Sequence, residues 1–171
     1  TFKPNLIQAY EINEDSTQFT IHLREGMKWS NGDELTTDDW MFWYNDVLTN
    51  TDVNPSVDAA YCSNGKPMIY EQVDPYTLNI KFEEPNPAFE ITMARYSTGI
   101  IRSFFAPKEY LKQWHKTYNP DADKLAKEEG YESWILCFKA HLDNTQAQTD
   151  CDAPDVYPWV LDRIDTNGNK F

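Results

Sequence analysis

The chain has 171 residues and a formal net charge of −13, and Phe, Trp and Tyr together make up 15% of it. This length fits one domain, and aromatic side chains in such number can fill a substantial core. Because phosphate binding requires clustered Lys and Arg, the acidic balance argues against nucleic acid as a partner, and no run approaches the ~20 apolar residues of a membrane-spanning helix.

The first two predicted elements are adjacent antiparallel strands. Residues 6–12 alternate in part between apolar and polar side chains, and Gln18–Leu23 alternates well through its three large apolar residues. The polar residues 13–17 between them have the composition of a hairpin turn.

A helix is predicted to begin after Thr36. Thr36 and Asp39 have the spacing of a capping box, in which each side chain accepts a hydrogen bond from the backbone N–H group of the other residue. Behind this start, apolar side chains at positions 40, 43, 44, 47 and 48 form one helical face. Trp40 and Trp43 on this face are interpreted mainly as core residues, and a platform for a ligand is the alternative.

The rest of the chain predicts two more strands and four short helices. The strands are residues 67–73 and 77–82, and the helices are residues 88–96, 108–115, 122–129 and 131–142, followed by a polar loop over 143–158. Since the elements do not alternate as βαβ units, we predict an α+β fold with a small, mostly antiparallel sheet and one domain over residues 1–171. A hairpin turn at Asn167–Gly168 has little chain after it, so we expect this chain to be a piece of a longer protein.

Histidine and carboxylate patterns give no catalytic or metal-binding motif. His22, His115 and His141 lie far apart without an HxxxH spacing, and each is interpreted as a solvated side chain. Neighbouring carboxylates diverge on a helix or strand, so their spacing does not indicate an acid–base pair. We therefore predict no enzyme, no catalytic residue and no cofactor.

The three cysteines leave two alternatives open. Cys62, Cys137 and Cys151 lack a CxxC spacing, which argues against a zinc site, and no other metal site is predicted. One disulfide, with Cys137–Cys151 as the shortest loop, and three free or buried thiols both fit the sequence.

An ordered series of motifs runs through the first two thirds of the chain. After the hairpin come LREG (23–26), WSNG (29–32) and LTTDD (35–39), then VDPYTLNIKFEEPNPAF (73–89) and FFAPKEYL (104–111). In this order, over roughly residues 5–115, they resemble family 5 of the extracellular solute-binding proteins, the oligopeptide- and dipeptide-binding components of ABC importers. Within these motifs Arg24, Gly26, Gly32 and Asp39 are interpreted as scaffold residues.

The resemblance implies a fold and a role. The chain would be the accessory subdomain of the N-terminal lobe in a periplasmic-binding-protein type II-like fold. The whole protein would lie outside the cytoplasmic membrane, capture peptides or related solutes such as oligosaccharides, and deliver them to an ABC transporter permease. A lipid anchor outside this segment would be its only membrane contact.

One ligand-binding residue follows from the same resemblance. In oligopeptide-binding relatives a tyrosine in the loop after the aromatic helix approaches the ligand, and Tyr61 corresponds to it. Three rival interpretations remain beside the importer: a carbohydrate-binding module of an extracellular enzyme, a hydrolase with a carboxylate pair, and a purely structural interaction domain.

Overall fold

The computed structural model describes residues 6–94, 104–147 and 150–156, and the chain forms two compact units. Unit 1 comprises Thr1–Met27 and Thr36–Phe105, and unit 2 comprises Lys28–Leu35 and Ala106–Phe171. A single domain over residues 1–171 stays a prediction. The hairpin predicted at Asn167–Gly168 lies outside the described residues.

Unit 1 contains a four-stranded antiparallel sheet with strand order β1-β2-β6-β5 and a separate two-stranded ribbon of β3 and β4. The strands are β1 (Ile7–Ile12), β2 (Gln18–Leu23), β3 (Cys62–Ser63), β4 (Lys66–Pro67), β5 (Ile69–Asp74) and β6 (Thr77–Lys81). The predicted hairpins therefore form, and together with the helices they confirm the predicted α+β fold with its small antiparallel sheet.

One face of this sheet forms part of the core. Alternation along β2 puts every second side chain on that face, and register pairs Phe19 with Ile80 and Ile21 with Leu78. These four side chains are at most 1% exposed. On the opposite face, Thr20 donates a hydrogen bond from Oγ1 to Oδ1 of Asn79 at 2.7 Å. The period-2 pattern of the sequence thus fixes which face is buried.

The helix predicted after Thr36 begins where expected. Helix α1 spans Thr37–Phe42, and the capping box between Thr36 and Asp39 is present. The backbone N–H of Thr36 donates to Oδ2 of Asp39 at 3.1 Å. Trp40 and Trp43 are 2% and 0% exposed, which confirms their interpretation as core residues.

The second half of this helix differs from the prediction, because Trp43–Leu48 is a π-helix. Thr49 stabilises the wider turn: both its backbone N–H and its Oγ1 donate to the carbonyl of Tyr44, at 3.0 and 2.8 Å. Phe42, which the regular period left off the apolar face, is also buried. A pattern of period 3.6 cannot anticipate such a local widening.

The four remaining helices are α2 (Phe89–Ala94), α3 (Lys108–Leu111), α4 (Ala122–Glu128) and α5 (Trp134–Ala147), with a 3₁₀ turn Lys112–Trp114 after α3. The prediction of a loop from residue 143 is wrong for its first residues, since α5 continues to Ala147. Leu142 and Thr145 are buried there, and Oγ1 of Thr145 donates to the Leu142 carbonyl at 2.7 Å. Burial outweighs the polar composition of this segment.

A left-handed glycine separates α4 from α5. Gly130 has φ +88°, and the chain ends α4 with N–H groups of Gly130 and Tyr131 donating to the carbonyls of Lys127 and Ala126, at 3.1 and 2.7 Å. This is the Schellman arrangement, in which a residue with positive φ closes the helix. It turns the chain so that Glu129, at the end of α4, faces α5.

No helix in the described ranges has both the length and the apolar character that crossing a membrane requires.

Candidate functional site

Tyr61, the predicted ligand-binding residue, lies in unit 1 at the end of a 3₁₀ turn, Ala59–Tyr61. Asp58 caps this turn, accepting a hydrogen bond from the backbone N–H of Ala60 at 2.8 Å. The ring of Tyr61 is 6% exposed. Burial, with a smaller effect of the Asp58 charge, raises the pKa of Tyr61 to about 12. The phenol therefore stays protonated at neutral pH and can donate a hydrogen bond.

Tyr61 belongs to an aromatic group that we call the Trp43 cluster, formed by Trp43, Tyr44, Tyr61, Tyr70 and Phe104. The ring of Tyr61 packs edge-on against Trp43 and Phe104, with centroids 5.7 Å apart in both pairs. Tyr44 stacks on Tyr70 at 5.0 Å. Edge and stacked contacts of this kind hold aromatic rings in fixed orientations.

One polar atom at the centre of this cluster has no hydrogen-bond acceptor among the described residues: Nε1 of Trp43, whose side chain is fully buried. The phenol of Tyr70 is buried as well, which raises its pKa. The rings of Trp43, Tyr61 and Tyr70 are at most 6% exposed, so the cluster is a packed aromatic part of the unit 1 core that fixes the position of Tyr61. An open depression of unit 1 along Gln8, His22 and Tyr76 does not include Tyr61.

Unit 2 contains a second group of chemically interesting side chains, which we call the Glu129 network: Tyr110, Trp114, Glu129, Cys137, His141 and Asp150. Glu129 is its centre. Its Oε2 lies 2.7 Å from Nε2 of His141 and 3.6 Å from Sγ of Cys137, and its Oε1 accepts from Nε1 of Trp114 at 2.7 Å. Burial acts to raise the pKa of Glu129, but the hydrogen bonds from His141 and Trp114 outweigh it and hold that pKa below its usual range.

The second ring nitrogen of His141, Nδ1, also has a partner. Nδ1 lies 3.3 Å from the hydroxyl of Tyr110, which donates to Oδ2 of Asp150 at 2.9 Å. The indole of Trp114 stacks on the imidazole with centroids 3.5 Å apart. Burial and the Asp150 contact raise the pKa of Tyr110, so its hydroxyl keeps its proton.

The interpretation of the histidines as solvated is wrong for two of the three. His115 is 1% exposed and packs edge-on against Trp134 and Phe138, at 4.8 and 5.0 Å. His141 has a side chain 12% exposed and lies within α5, not at a helix end. Only His22, at 37%, is open to solvent. A histidine among large apolar residues on a helix is drawn into the core by its ring area.

The sequence did contain a signal for the Glu129 network. Cys137 and His141 are four residues apart on one helix, and residues at this spacing are neighbours on the helix surface. The HxxxH and CxxC spacings are pairs of one residue type, and the mixed pair Cys137–His141 matches neither of them. Glu129 and Asp150 come from outside the helix, and only the tertiary structure brings them to it.

All three cysteines are free thiols in the structure, so the Cys137–Cys151 disulfide is not formed there. Cys137 is fully buried, while Cys151 is exposed. Burial and the nearby charge of Glu129 raise the pKa of Cys137 to about 12. Without a bound cation this thiol is therefore protonated and unreactive at neutral pH.

Comparison with known proteins decides the family. The family model described as "Bacterial extracellular solute-binding proteins, family 5 Middle" matches residues 1–133. This chain belongs to that family. The match confirms the resemblance drawn from the motifs over roughly residues 5–115 and extends it to residue 133, within unit 2.

Relatives of this family 5 protein carry names that refer to different solutes. The chain is 32% identical over 115 residues to the periplasmic alpha-galactoside-binding protein of Rhizobium meliloti, covering 67% of this chain and 16% of that protein. It is 29% identical over 114 residues to the periplasmic oligopeptide-binding protein OppA of Escherichia coli, covering 57% of this chain and 20% of that protein.

Solved structures agree on the fold. A structure of the oligopeptide-binding protein OppA matches 94% of this chain and 24% of its own, with a TM-score of 0.78 and 29% identity. The periplasmic binding protein MelB of Agrobacterium fabrum C58 in complex with stachyose matches 92% of this chain and 21% of its own, with a TM-score of 0.65 and 25% identity. The chain thus spans about a quarter or less of the length of these proteins.

These relatives are named for solute binding and not as enzymes, and the rival interpretation as a carbohydrate-binding module of an extracellular enzyme finds no support in them. The structure adds a physical argument against that module. Of the five tryptophans in the described part of the chain, four are buried, and the fifth, Trp114, is half-buried against His141. A glycan platform on this surface would need exposed indoles.

Proposed function

We propose that this chain is the accessory part of the N-terminal lobe in an extracytoplasmic solute-binding protein of an ABC importer. The complete protein captures peptides, or oligosaccharides, outside the cytoplasmic membrane and delivers them to a transporter permease. The chain acts by binding and carries out no catalysis. The similarity in fold to OppA over 94% of the chain is the observation that supports this proposal.

Peptides are the leading solute class, because the motif order resembles the oligopeptide- and dipeptide-binding members and the OppA structure has the higher TM-score of the two described above. The alpha-galactoside-binding relative and the stachyose complex favour oligosaccharides as the second candidate. Both classes suit a cleft with aromatic walls and neutral hydrogen-bond donors.

Isothermal titration of the full-length protein tests the proposal. We expect saturable 1:1 binding to a pool of short peptides, and a parallel titration with raffinose-type oligosaccharides separates the second candidate from the first. Binding of oligosaccharides alone would overturn the peptide assignment but keep the transport role. Absence of binding in both titrations would contradict the proposed function.

Tyr61 is proposed to contact the solute through its hydroxyl. Its protonated phenol can donate, and the Trp43 cluster keeps the ring in place. Tyr61→Phe retains the packing and removes only the hydroxyl, so in the full-length protein we expect affinity for the solute to fall about 5- to 10-fold, the size of one net hydrogen bond. Tyr76→Phe, at a half-buried tyrosine outside the cluster, is the matched control. Equal affinity for both variants would exclude a ligand contact by the Tyr61 hydroxyl.

A further inference from the structure

We propose that Glu129, Cys137 and His141 form a binding site for a divalent transition-metal ion of the zinc class. Each residue offers one ligand atom, and the three atoms all lie within 4.8 Å of one another. The sequence had predicted no metal site, because the three ligands do not form a recognised motif. The proposal does not rest on the solute-binding function proposed above.

Two local features of the backbone bring the ligands together. Cys137 and His141 project from the same face of α5 because they are four residues apart. Glu129 reaches that face because the left-handed turn at Gly130 reverses the chain between α4 and α5. The ligands are thus placed by rigid elements and not by a long loop.

One of the three separations already matches a tetrahedral ion, and the Sγ of Cys137 and Nε2 of His141 lie within 4.8 Å of each other. Bond lengths of about 2.0–2.3 Å to nitrogen, oxygen and sulfur place the ligand atoms of a tetrahedral zinc site about 3.2–3.8 Å apart. Sγ of Cys137 already lies 3.6 Å from Oε2 of Glu129. The 2.7 Å between that oxygen and Nε2 of His141 is a hydrogen-bond distance, so the ion requires the Glu129 carboxylate to withdraw by about half an ångström.

The hydrogen bonds around His141 leave a lone pair directed at the site. The hydroxyl hydrogen of Tyr110 is directed at Asp150, so the Tyr110 oxygen is free to accept a hydrogen bond from a protonated Nδ1 of His141. In the neutral imidazole Nε2 then has a lone pair, and this lone pair faces the carboxylate of Glu129. A cation is needed between them, which is either a proton or a metal ion.

The thiol of Cys137 distinguishes these two cations. A proton shared by Glu129 and His141 joins two of the three donor atoms, whereas a metal ion joins all three. When the ion binds, the thiol releases its proton to solvent and a metal–thiolate bond forms. A thiolate, an imidazole and one carboxylate together suit zinc or cobalt and not calcium or magnesium, which prefer oxygen ligands.

The surroundings have the features of a supported site. Trp114 holds Oε1 of Glu129 by its indole N–H, and Tyr110 with Asp150 orients the His141 ring; such outer contacts fix the ligands of natural zinc sites. Glu129 is 37% exposed at its side chain while Cys137 is fully buried. The ion can therefore enter from the Glu129 side, and water can take the fourth position.

Cobalt(II) titration of the full-length, reduced protein tests the proposal, because a cobalt–thiolate bond gives a charge-transfer absorption band. We expect one equivalent of Co²⁺ to produce this band and Zn²⁺ to abolish it by displacement. Glu129→Gln, Cys137→Ser and His141→Gln should each raise the dissociation constant for Zn²⁺ by more than about 100-fold. Even residues that only support the ligands contribute about 10- to 100-fold to metal affinity. Cys62→Ser and His22→Gln remove the same groups elsewhere and should leave both readouts unchanged.

Two outcomes would overturn the proposal. One is Co²⁺ binding without the thiolate band, which would mean an adventitious ion on surface carboxylates. The other is no binding at all, in which case the Glu129–His141 contact is only an ion pair. Far-UV circular dichroism of each variant checks its fold, and Glu129→Gln, at the partly exposed ligand, keeps the test valid if the buried Cys137→Ser variant does not fold.

Discussion

Thr36 lies between a loop and the start of α1, and its side chain accepts a hydrogen bond from one of the backbone N–H groups that have no partner within the helix. Its Oγ1 accepts a hydrogen bond from the backbone N–H of Asp38 at 3.3 Å. In turn, Oδ2 of Asp39 accepts a hydrogen bond from the backbone N–H of Thr36. Asp38 and Asp39 also place negative charge at the positive end of the helix dipole. A single threonine thereby fixes where the helix carrying Trp40 begins.

We expect Thr36→Ala to lower the free energy of unfolding by about 1 kcal/mol, because the substitution removes the N-cap acceptor. Urea denaturation followed by circular dichroism measures this change. Thr36→Ser keeps the acceptor and is the control, expected to stay within a few tenths of the parent value. An unchanged midpoint for Thr36→Ala would mean that water replaces the cap without loss.

At the scale of elements, β2 is one of the two central strands of the unit 1 sheet and carries the fully buried ring of Phe19. Phe19 is fully buried and meets Phe82 and Phe89 edge-on, with centroids 6.0 and 5.1 Å apart. These contacts join the sheet to α2. The packing of this strand therefore positions both the sheet and the helix that follows it.

Phe19→Ala should lower the free energy of unfolding by about 3–5 kcal/mol, since it removes a large buried ring and leaves a cavity. Equilibrium unfolding in guanidinium chloride, monitored by tryptophan fluorescence, gives the value. Ile12→Ala, on the edge strand β1 with a side chain 38% exposed, is the matched apolar control and should change stability far less. Similar losses for the two variants would contradict the assignment of Phe19 to the core.

At the scale of the whole molecule, the chain carries a large negative charge. With a net charge of −13, the carboxylates of the chain repel one another at neutral pH, and salt screens that repulsion. Several carboxylates are nevertheless favoured in the folded state. A hydrogen bond from Lys116 lowers the pKa of Asp123, bonds from Thr17 lower the pKa of Asp15, and the backbone N–H of Tyr76 lowers the pKa of Asp74.

These lowered pKa values predict loss of stability in acid. A carboxyl group whose pKa is lower in the folded state stabilises the fold above its unfolded pKa, and this contribution disappears as the pH falls through the folded pKa. We expect the urea midpoint to decrease between about pH 5 and pH 2. Asp123→Asn should show a smaller decrease over this range, whereas Glu132→Gln, at an exposed residue, should follow the parent protein. Parallel curves for all three proteins would refute the role of Asp123.

The sequence by itself determined the local elements and the family. Alternation predicted β1 and β2, the Thr36–Asp39 spacing predicted the start of α1, and the apolar face predicted that Trp40 and Trp43 are buried. These features depend on residues within a few positions of one another, because side-chain direction and capping follow the backbone period. The ordered motifs added the family, since their sequence of turns and caps is specific as a set.

Only the tertiary structure decided which distant segments meet. Pairing of β2 with β6 joins residues about 60 positions apart, as in the Thr20–Asn79 bond, and no local pattern specifies that partner. The π-helix and the extension of α5 to Ala147 likewise follow from packing and not from composition. The Glu129 network has the same origin: Trp114, Glu129 and His141 come from three separate elements, and their chemistry exists only where burial brings them within bonding distance.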